Sequence, residues 1–399
     1  MRNAAGILPY VESETAMRAT TPTAVLFRFA AATAFAGAFA AAAPAAPAAG
    51  GVIDRTNPAP RLSETGLYSD AARKVVARQN LSFSPQYPLW TDGATKRRWI
   101  YLPPGTSIDA SDPDAWVFPV GTKLWKEFSF GRPVETRLIE RLPDGSWRFL
   151  AYVWKADGSD AELAPARGLR GVALVDTASG ARHDVPSRMD CGACHEGQPS
   201  PVLGFSALQL SPDRDPLAPH AAARVAGDVD LRLLMDRGLV RGLPASYRRT
   251  PPRIAAPTPR ERAVLGYMHA NCGHCHNDRG PLAELGMNLS IRLAPAHGAF
   301  PGALLTAVGQ ASSYPLPGTI ESGLYARIAN GSPGESVLVQ RMVSRQPAVQ
   351  MPPLGTHVVD REALRLVMQW IRESLAPTAA SRVAERVPTM KRTRGRNTQ

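Results

Sequence analysis

The sequence predicts a multidomain α+β protein: an N-terminal antiparallel β-sandwich-like module, a segment with little regular structure, and an all-α C-terminal domain. Three observations predict this order. Six of the seven tryptophans fall between residues 90 and 154, all four cysteines fall in two short motifs further along, and two helical patterns frame the second motif. Alternation of apolar and polar residues is typical of strands, whereas apolar residues three or four apart are typical of helices.

The β-rich module is predicted over residues 49–185. Three runs alternate as half-buried strands do, at residues 123–130, 134–139 and 147–154. Residues 142–145, Leu-Pro-Asp-Gly, form a turn between two of these runs, because proline fixes one dihedral angle and glycine accepts a positive φ. Short strands separated by turns favour an antiparallel sandwich or a barrel-like module.

All four cysteines belong to two copies of one pattern. The copies are Cys191-Gly-Ala-Cys194-His195 and Cys272-Gly-His-Cys275-His276. Cys-x-x-Cys-His is the attachment signature of c-type haem: two thiols form thioethers to one haem, and the histidine is the proximal iron ligand. A zinc site or a redox Cys-x-x-Cys pair would not explain why a histidine follows both pairs. The sequence therefore predicts two covalently bound haem c groups.

The first haem-binding segment is predicted over residues 186–257, which are rich in proline. Pro186 and Ser187 stand directly before Cys191, so no helix is expected to lead into the first motif. The stretch 230–239 has a helical pattern with an apolar face. This site is therefore expected to differ from an ordinary small cytochrome fold.

The distal ligand of the first haem stays open. His220 follows a proline in a stretch without regular pattern and could reach the iron. Met235 lies on the apolar face of the helical stretch, where a methionine more often belongs to the core. An open sixth position is the remaining alternative, and an open iron can bind small ligands or peroxide.

The second motif is expected to follow a helix. Thr258-Pro-Arg-Glu261 has the pattern of a capping box with proline at the first helical position, and the helix is predicted to reach Ala270. Asp360 is expected to cap a later helix, and Gly266 would let the two helices approach with Trp370 at their crossing. The helices thus frame the second site.

Met351 is the predicted distal ligand of the second haem. The prolines at 352 and 353 bias it to extended geometry and stiffen the loop, which suits a side chain that must reach the iron. Met342, Met287 or no ligand are the alternatives. The order of these motifs resembles that of class I cytochrome c domains, and the resemblance implies that Pro281 offers its carbonyl to the second nitrogen of His276 and so fixes the ring.

Several stretches resemble a known family. They are 87–94 (YPLWTDGA), 118–128 (FPVGTKLWKEF), 191–195 with 203–205, 267–276 (YMHANCGHCH) and 351–355 (MPPLG). Residues 258–378 resemble a class I cytochrome c domain in motif order, and the whole chain is similar to a bacterial family of periplasmic di-haem c-type cytochromes with a β-rich N-terminal region. The resemblance implies a cytochrome role and no particular substrate.

Residues 1–48 have the pattern of a secretory signal peptide, and Met17 is an alternative start. Arg18 and Arg28 precede an apolar, alanine-rich run to Ala43, and small residues then offer cleavage sites. The run is shorter than the roughly 20 residues of a bilayer span, so no stable membrane span is expected after cleavage. Export to the periplasm is the prediction.

The formal charge of +12 comes partly from the C-terminal tail. Residues 379–399 are expected to be a disordered basic tail, with six basic residues and one acid. Basic tails can bind nucleic acid, but an exported haem protein would not meet it. Steering of an acidic redox partner, or a tail that is simply solvated, is the better interpretation.

Three functions compete. The first is periplasmic electron transfer between a dehydrogenase donor and an oxidase or soluble cytochrome acceptor, without catalysis by this chain. The second is a di-haem enzyme, peroxidase-like or dehydrogenase-associated, with an open or weakly ligated first haem. In the third, the tryptophan-rich module binds a substrate or partner whose electrons the haems accept.

Overall fold

The computed structural model describes residues 57–293, 302–315 and 325–376. All of them belong to one compact unit. The predicted signal peptide (1–48) and the predicted basic tail (379–399) lie outside the described residues.

The described residues form twelve strands, six α-helices and short 3-10 helices. The strands are β1 (Tyr68–Asp70), β2 (Val75–Val76), β3 (Leu81–Ser82), β4 (Thr95–Tyr101), β5 (Ile108–Asp109), β6 (Lys123–Phe130), β7 (Arg132–Arg141), β8 (Trp147–Trp154), β9 (Ala161–Leu163), β10 (Leu169–Asp176), β11 (Ala181–Val185) and β12 (Val240–Arg241). The α-helices are α1 (Arg188–His195), α2 (Leu231–Asp236), α3 (Pro259–Asn271), α4 (Gly302–Thr306), α5 (Val337–Val343) and α6 (Arg361–Ser374). The 3-10 helices are Leu62–Glu64, Ala245–Arg248, Ala283–Leu285 and Pro333–Glu335.

The largest element is a six-stranded antiparallel sheet in the order β3-β4-β6-β7-β8-β9. The strands predicted at 123–130 and 147–154 are confirmed at their predicted bounds, and the third runs from Arg132 to Arg141. The predicted turn between β7 and β8 is also confirmed, with Gly145 at φ 83°. The small sheets β1-β2 and β10-β11 are antiparallel, and β5-β12 is parallel.

Alternation along the strands gives the sheet two buried faces. One face carries a cluster of large side chains: Trp99, Trp125, Leu138, Leu150, Tyr152 and Trp154. On the other face, Ile100 and Leu124 pack against residues that follow the first motif, among them Val202, Phe205 and Leu234. Such burial contributes roughly 1.5–3 kcal/mol for each large apolar side chain. The chain after the first motif therefore covers the second face of the sheet.

A separate helical core surrounds the second motif. The predicted helices are confirmed: Thr258 Oγ1 accepts from the backbone N–H of Glu261, and Asp360 Oδ1 accepts from that of Ala363. The Glu261 carboxylate accepts a hydrogen bond from Trp370 Nε1 at 3.2 Å, which ties α3 to α6. The buried side chains of this core include Val264, Tyr267, Met268, Val339, Ala363, Val367, Trp370 and Ile371.

The close approach at Gly266 is not the one that the sequence predicted. A Cβ at Gly266 would lie 2.1 Å from the ring of Tyr87, so glycine admits this tyrosine and not the crossing helix. Nearby, Asn271 Oδ1 accepts from the backbone N–H of Trp90, and Asp92 Oδ1 accepts from the backbone N–H of His357. The segment that leads into the sheet is therefore part of the second site.

The predicted fold class is wrong. The six-stranded sheet does not face a second sheet of similar size among the described residues. Its second face is covered by loops, by α2 and by the two-stranded sheets β5-β12 and β10-β11. Residues 258–376 are not an all-α class I cytochrome c domain, because they contain few helices. Between these helices lie 3-10 turns and the β-bridges Val308↔Ile328 and Ala311↔Ala326. The core around the helices also includes Tyr87, which lies far away in the sequence. The antiparallel sheet dominates the fold instead.

Candidate functional site

The second motif follows directly from the end of a helix. α3 ends at Asn271, and the backbone N–H of Cys272 donates to the Met268 carbonyl at 2.8 Å. The chain then turns tightly, because the backbone N–H groups of Cys275 and His276 both donate to the Cys272 carbonyl, at 3.1 and 2.9 Å. The turn keeps both thiols and the imidazole together at the end of α3.

A large cavity opens beside this motif. Its empty volume is about 1040 Å³, including the part open to solvent. Cys272, Cys275 and His276 lie on its wall together with Met351. The apolar part of the wall consists of Leu282, Leu285, Met287, Leu289, Val337, Leu338, Met342, Pro352 and Pro353. The structure thus brings together the four residues that the sequence assigns to the second haem.

His276 is buried in a neutral form. Burial, and after it the charge of Arg341, lowers the pKa of His276 to about 4. A neutral imidazole is the form that binds metal. The contact predicted from Pro281 is not formed, because Nδ1 of His276 has no hydrogen-bond partner among the described residues. A buried nitrogen without a partner costs about 1–3 kcal/mol, so this ring is available to a bound group.

Three methionines line the same cavity. Met351 is half-buried in its loop, where its backbone N–H donates to the Arg341 carbonyl at 2.9 Å. Met342 is 8 % exposed on α5 and packs in the helical core, and Met287 packs against that core from outside. The predicted ligand and both alternatives therefore stand at one site, and the distal ligand stays a prediction.

The first motif is itself helical. The sequence predicted no helix leading into it, but Ser187 is the N-cap of α1. Ser187 Oγ accepts from the backbone N–H of Asp190 at 3.1 Å, and the Asp190 carboxylate accepts from the backbone N–H of Ser187 at 2.9 Å. This capping box starts the helix, so helical geometry sets the spacing of Cys191 and Cys194.

His195 is held in one orientation. Its Nδ1 donates to the Pro201 carbonyl at 2.6 Å, which leaves Nε2 for a metal. The ring of Phe149, on β8, has its centroid 5.1 Å from that of the imidazole. Burial lowers the pKa of His195 to about 4, so the imidazole is neutral. The proline contact predicted for the second histidine is thus present at the first.

The opening at the first motif is much smaller. A cleft of about 250 Å³ lies between Cys191 and the strands β8 and β9, with Phe149, Leu163 and Pro186 on its wall. A haem attached at Cys191 and Cys194 would extend beyond this cleft. The first site therefore fits a haem through its thiols and its oriented imidazole more than through a preformed cavity.

The two motifs are in contact, although Ala193 and Cys275 are 82 residues apart in the sequence. Sγ of Cys275 lies 3.9 Å from the Ala193 carbonyl oxygen. A hydrogen bond with Cys275 raises the pKa of the Cys194 thiol. Gln198 Nε2 donates to the Gly273 carbonyl at 2.8 Å, which fixes the two chain segments side by side.

The two side chains considered as distal ligand of the first haem lie elsewhere. His220 Nε2 is 2.8 Å from Asp360 Oδ1, its Nδ1 is 3.3 Å from Glu362 Oε2, and its ring lies 4.6 Å from that of Trp90. Both nitrogens thus face carboxylates at the start of α6. Met235 is 6 % exposed in the core under the sheet. Neither placement supports the ligand role.

Sequence reasoning missed a set of cations beside the first motif. Arg98, Lys126 and Arg137 lie on one face of the sheet, on neighbouring strands. The sequence did contain a signal for these buried cations. Lys126 falls between Leu124 and Phe128, at a position where alternation predicts an inward-facing residue.

The described residues contain neither a cluster of metal-binding side chains nor a membrane-spanning helix. No group of three or more His, Cys, Asp or Glu side chains there could hold a metal ion. A haem iron takes at most two protein ligands, so its site does not need such a group. In the same ranges, no helix has the length and apolar character needed to cross a membrane.

Comparison with known proteins finds no relative. No protein-family model matches the chain, and no curated protein or solved structure matches it. What the sites do must therefore be argued from the residues and their geometry.

Proposed function

We propose that this chain is a di-haem c-type cytochrome that transfers electrons in the periplasm. The observation that carries the proposal is the cavity wall shared by Cys272, Cys275, His276 and Met351. Two thiols, a neutral imidazole and a thioether sulfur are the donors that hold a haem c with His/Met ligation. The mostly apolar wall of this cavity suits the porphyrin of the group that these donors fit.

Each haem, when bound, supplies a one-electron Fe(III)/Fe(II) couple. At the second site, Cys272 and Cys275 anchor the group, His276 is the proximal ligand and Met351 the distal ligand. A thioether ligand raises the reduction potential relative to a second histidine. Apolar residues of the wall exclude water, and the two arginines on the wall, Arg327 and Arg341, can offset negative charge on the bound group.

At the first site, Cys191 and Cys194 are the anchors and His195 is the proximal ligand. Its contact with Pro201 holds the ring in place before the group binds. Because Cys194 and Cys275 are in contact, groups attached to them would be neighbours. This arrangement supports electron transfer within the chain, from one haem to the other.

Location and partners complete the proposal. The signal pattern of residues 1–48 supports export, and covalent haem attachment takes place outside the cytoplasm. The resemblance to bacterial periplasmic di-haem cytochromes supports a cytochrome role. The partners we propose for that role are a dehydrogenase as electron donor and an oxidase or a soluble cytochrome as acceptor. The tryptophan-rich strands are not needed for this function, since most of their large side chains are packed in the sheet.

The test is to express the full chain for export together with a haem-attachment system. The purified protein should be coloured, give two haems per chain in a pyridine haemochrome assay, and exceed the mass of the bare chain by two haems. A redox titration should then show two one-electron steps. A colourless protein with the bare mass, from cells in which a control cytochrome c is loaded, would refute the proposal.

One observation favours a second function, a di-haem enzyme of the peroxidase type. His220 is bonded to two carboxylates, which leaves the first haem without the histidine considered for its sixth position. Ferric protein should be mixed with cyanide and, separately, with peroxide. Two low-spin haems that respond to neither would support pure electron transfer, whereas a high-spin haem that reacts with peroxide would support the enzyme.

A further inference from the structure

Three basic side chains form a row on one face of the sheet. Arg98 on β4 is paired with Lys126 on β6, and Lys126 is paired with Arg137 on β7. Neighbouring strands lie about 4.8 Å apart, so the three side chains are adjacent. Like charges directly opposite one another destabilise a sheet. The row therefore needs negative charge nearby.

The protein supplies only part of that charge. Glu135 is fully buried and accepts from Arg137 Nε at 2.7 Å and from Nη2 at 3.0 Å. No ion pair among the described residues includes Lys126 or Arg98. Burial, followed by the charges of Arg98, Lys96 and Arg137, lowers the pKa of Lys126 well below its ordinary value. Glu135 is thus bonded to Arg137, and the charge of Asp228 acts on Arg98. Lys126 forms neither an ion pair nor a hydrogen bond with a carboxylate among the described residues.

The row lies beside the first motif. Phe149 is on the same face of the sheet as Arg137, two residues from the strand partner of Arg137, and its ring contacts that of His195. A group held by this histidine would thus extend over the face that carries the row.

We infer that Arg98, Lys126 and Arg137 bind carboxylates, and that these are the two propionates of the haem attached at Cys191 and Cys194. The inference rests on the proposed function. A haem carries two propionates, and two members of the row, Arg98 and Lys126, form no ion pair among the described residues. The fork of Arg98 is well suited because an arginine can donate two parallel hydrogen bonds to one carboxylate. The fork of Arg137 is already bonded to Glu135, which leaves Arg137 to act through its charge. By binding the propionates, the row would hold the first haem in one orientation. At the second site, the walls of the cavity would do the same for the second haem.

The test is the substitution Lys126→Gln in the loaded protein. Removing a cation beside a propionate favours the ferric state, so the reduction equilibrium constant of one haem should fall about tenfold, which is about 59 mV for a one-electron couple. The other haem, identified as the one that responds to Met351→Ala, should keep its potential. Lys123→Gln is the matched control, because Lys123 is on the same strand and the opposite face.

Two further measurements separate the alternatives. Lys126→Arg keeps the charge and should keep the potential, and Arg98→Gln should act like Lys126→Gln if the latter folds poorly. Unchanged potentials in both neutral variants would overturn the inference. So would loss of the low-spin spectrum in Lys126→Gln, which would make Lys126 an iron ligand instead.

The source of the carboxylate is tested with acetate. If the propionates occupy the row, acetate should leave the potential of the first haem unchanged in the wild-type protein. An acetate-dependent shift that Lys126→Gln abolishes would overturn the propionate assignment in favour of free carboxylates. A wild-type protein without haem would instead end the proposed function. With that haem-free protein, acetate should raise the unfolding temperature if the row binds carboxylates. If acetate does not raise it, the claim that the row binds carboxylates is also refuted.

Discussion

The two Cys-x-x-Cys-His sites are prepared in different ways. At the second, Cys272 and His276 open on a cavity of about 1040 Å³, and the imidazole has an unpaired nitrogen. At the first, the opening is about 250 Å³, but His195 is fixed by Pro201 and cations stand beside it. The second site thus offers a cavity, whereas the first offers an oriented imidazole with cations beside it. One attachment motif can thus serve two environments.

Removing the cysteines of each motif should have the largest effect. Cys191→Ser with Cys194→Ser, and Cys272→Ser with Cys275→Ser, should each lower the haem content from two to one per chain. The second pair should also cost more thermal stability, because it leaves the larger apolar cavity unfilled. Haem content comes from the pyridine haemochrome assay and stability from thermal unfolding. Equal losses of stability would remove the difference between the sites.

Glu135→Gln tests the charged environment of the first site. Removing one partner of a buried ion pair costs about 3–5 kcal/mol, and Glu135 is bonded to Arg137 and to His183. Glu162→Gln is the control, because its ion pair with Lys155 is exposed and such pairs contribute about 0–1 kcal/mol. Urea unfolding measures both variants, and similar losses for the two would contradict the prediction.

The same carboxylate should show itself in the pH dependence of stability. Burial acts to raise the pKa of Glu135, but Arg137 and His183 outweigh it, so the pKa is below its ordinary value of 4.5. At a pH between the lowered pKa of Glu135 in the folded chain and its ordinary value of 4.5, this carboxylate is protonated in the unfolded chain and ionised in the folded chain. The stabilisation is therefore present above pH 4.5 and is lost as the pH falls below it. Glu135→Gln should flatten this acid limb.

Met351→Ala addresses the second site. The absorption band of a methionine–iron bond should disappear, and one reduction potential should fall by on the order of 0.1 V, within the range of roughly 0.8 V that axial ligands span. Met342→Ala should keep the band, although Met342 lines the same cavity. A band that persists in Met351→Ala, or disappears in Met342→Ala, would move the ligand to another residue.

Gly266→Ala should have the smallest effect of the series. The added Cβ would lie 2.1 Å from the ring of Tyr87, and overpacking of this kind costs about 1–3 kcal/mol. Gly334→Ala is the control, because no heavy atom would lie within 4 Å of its Cβ. Unfolding free energies should differ between the two variants, and the axial ligation of the second haem should be disrupted first on heating. Equal stabilities would mean that Tyr87 moves freely.

Local features of the fold could be predicted from the sequence. Alternation placed β6 and β8 at their true bounds, and the caps Thr258 and Asp360 marked the starts of α3 and α6. These signals come from residues within a few positions of one another, so they can be read from the sequence directly. One local signal was missed: Ser187 and Asp190 form a capping box, but the proline before them suggested irregular chain.

The arrangement in space could not be predicted in the same way. Gly266 was expected to receive a helix, yet it receives Tyr87, which is far away in the sequence. The carboxylates that bond His220 are 140 and 142 positions away from it, and alternation along one strand does not report what covers the sheet. Pairing over such distances is decided by packing of the whole chain. The contact between the two motifs could not be predicted for the same reason, since Ala193 and Cys275 are 82 residues apart in the sequence.

That contact bears on how the molecule is made. Thioether formation requires each sulfur to reach a vinyl carbon, but in the folded chain Cys194 and Cys275 face each other. If haem is attached at both motifs as proposed, both attachments would have to be completed before these two segments of the chain come together. Maturation would thus follow a fixed sequence of events, with porphyrin ligation first and closure of the junction last.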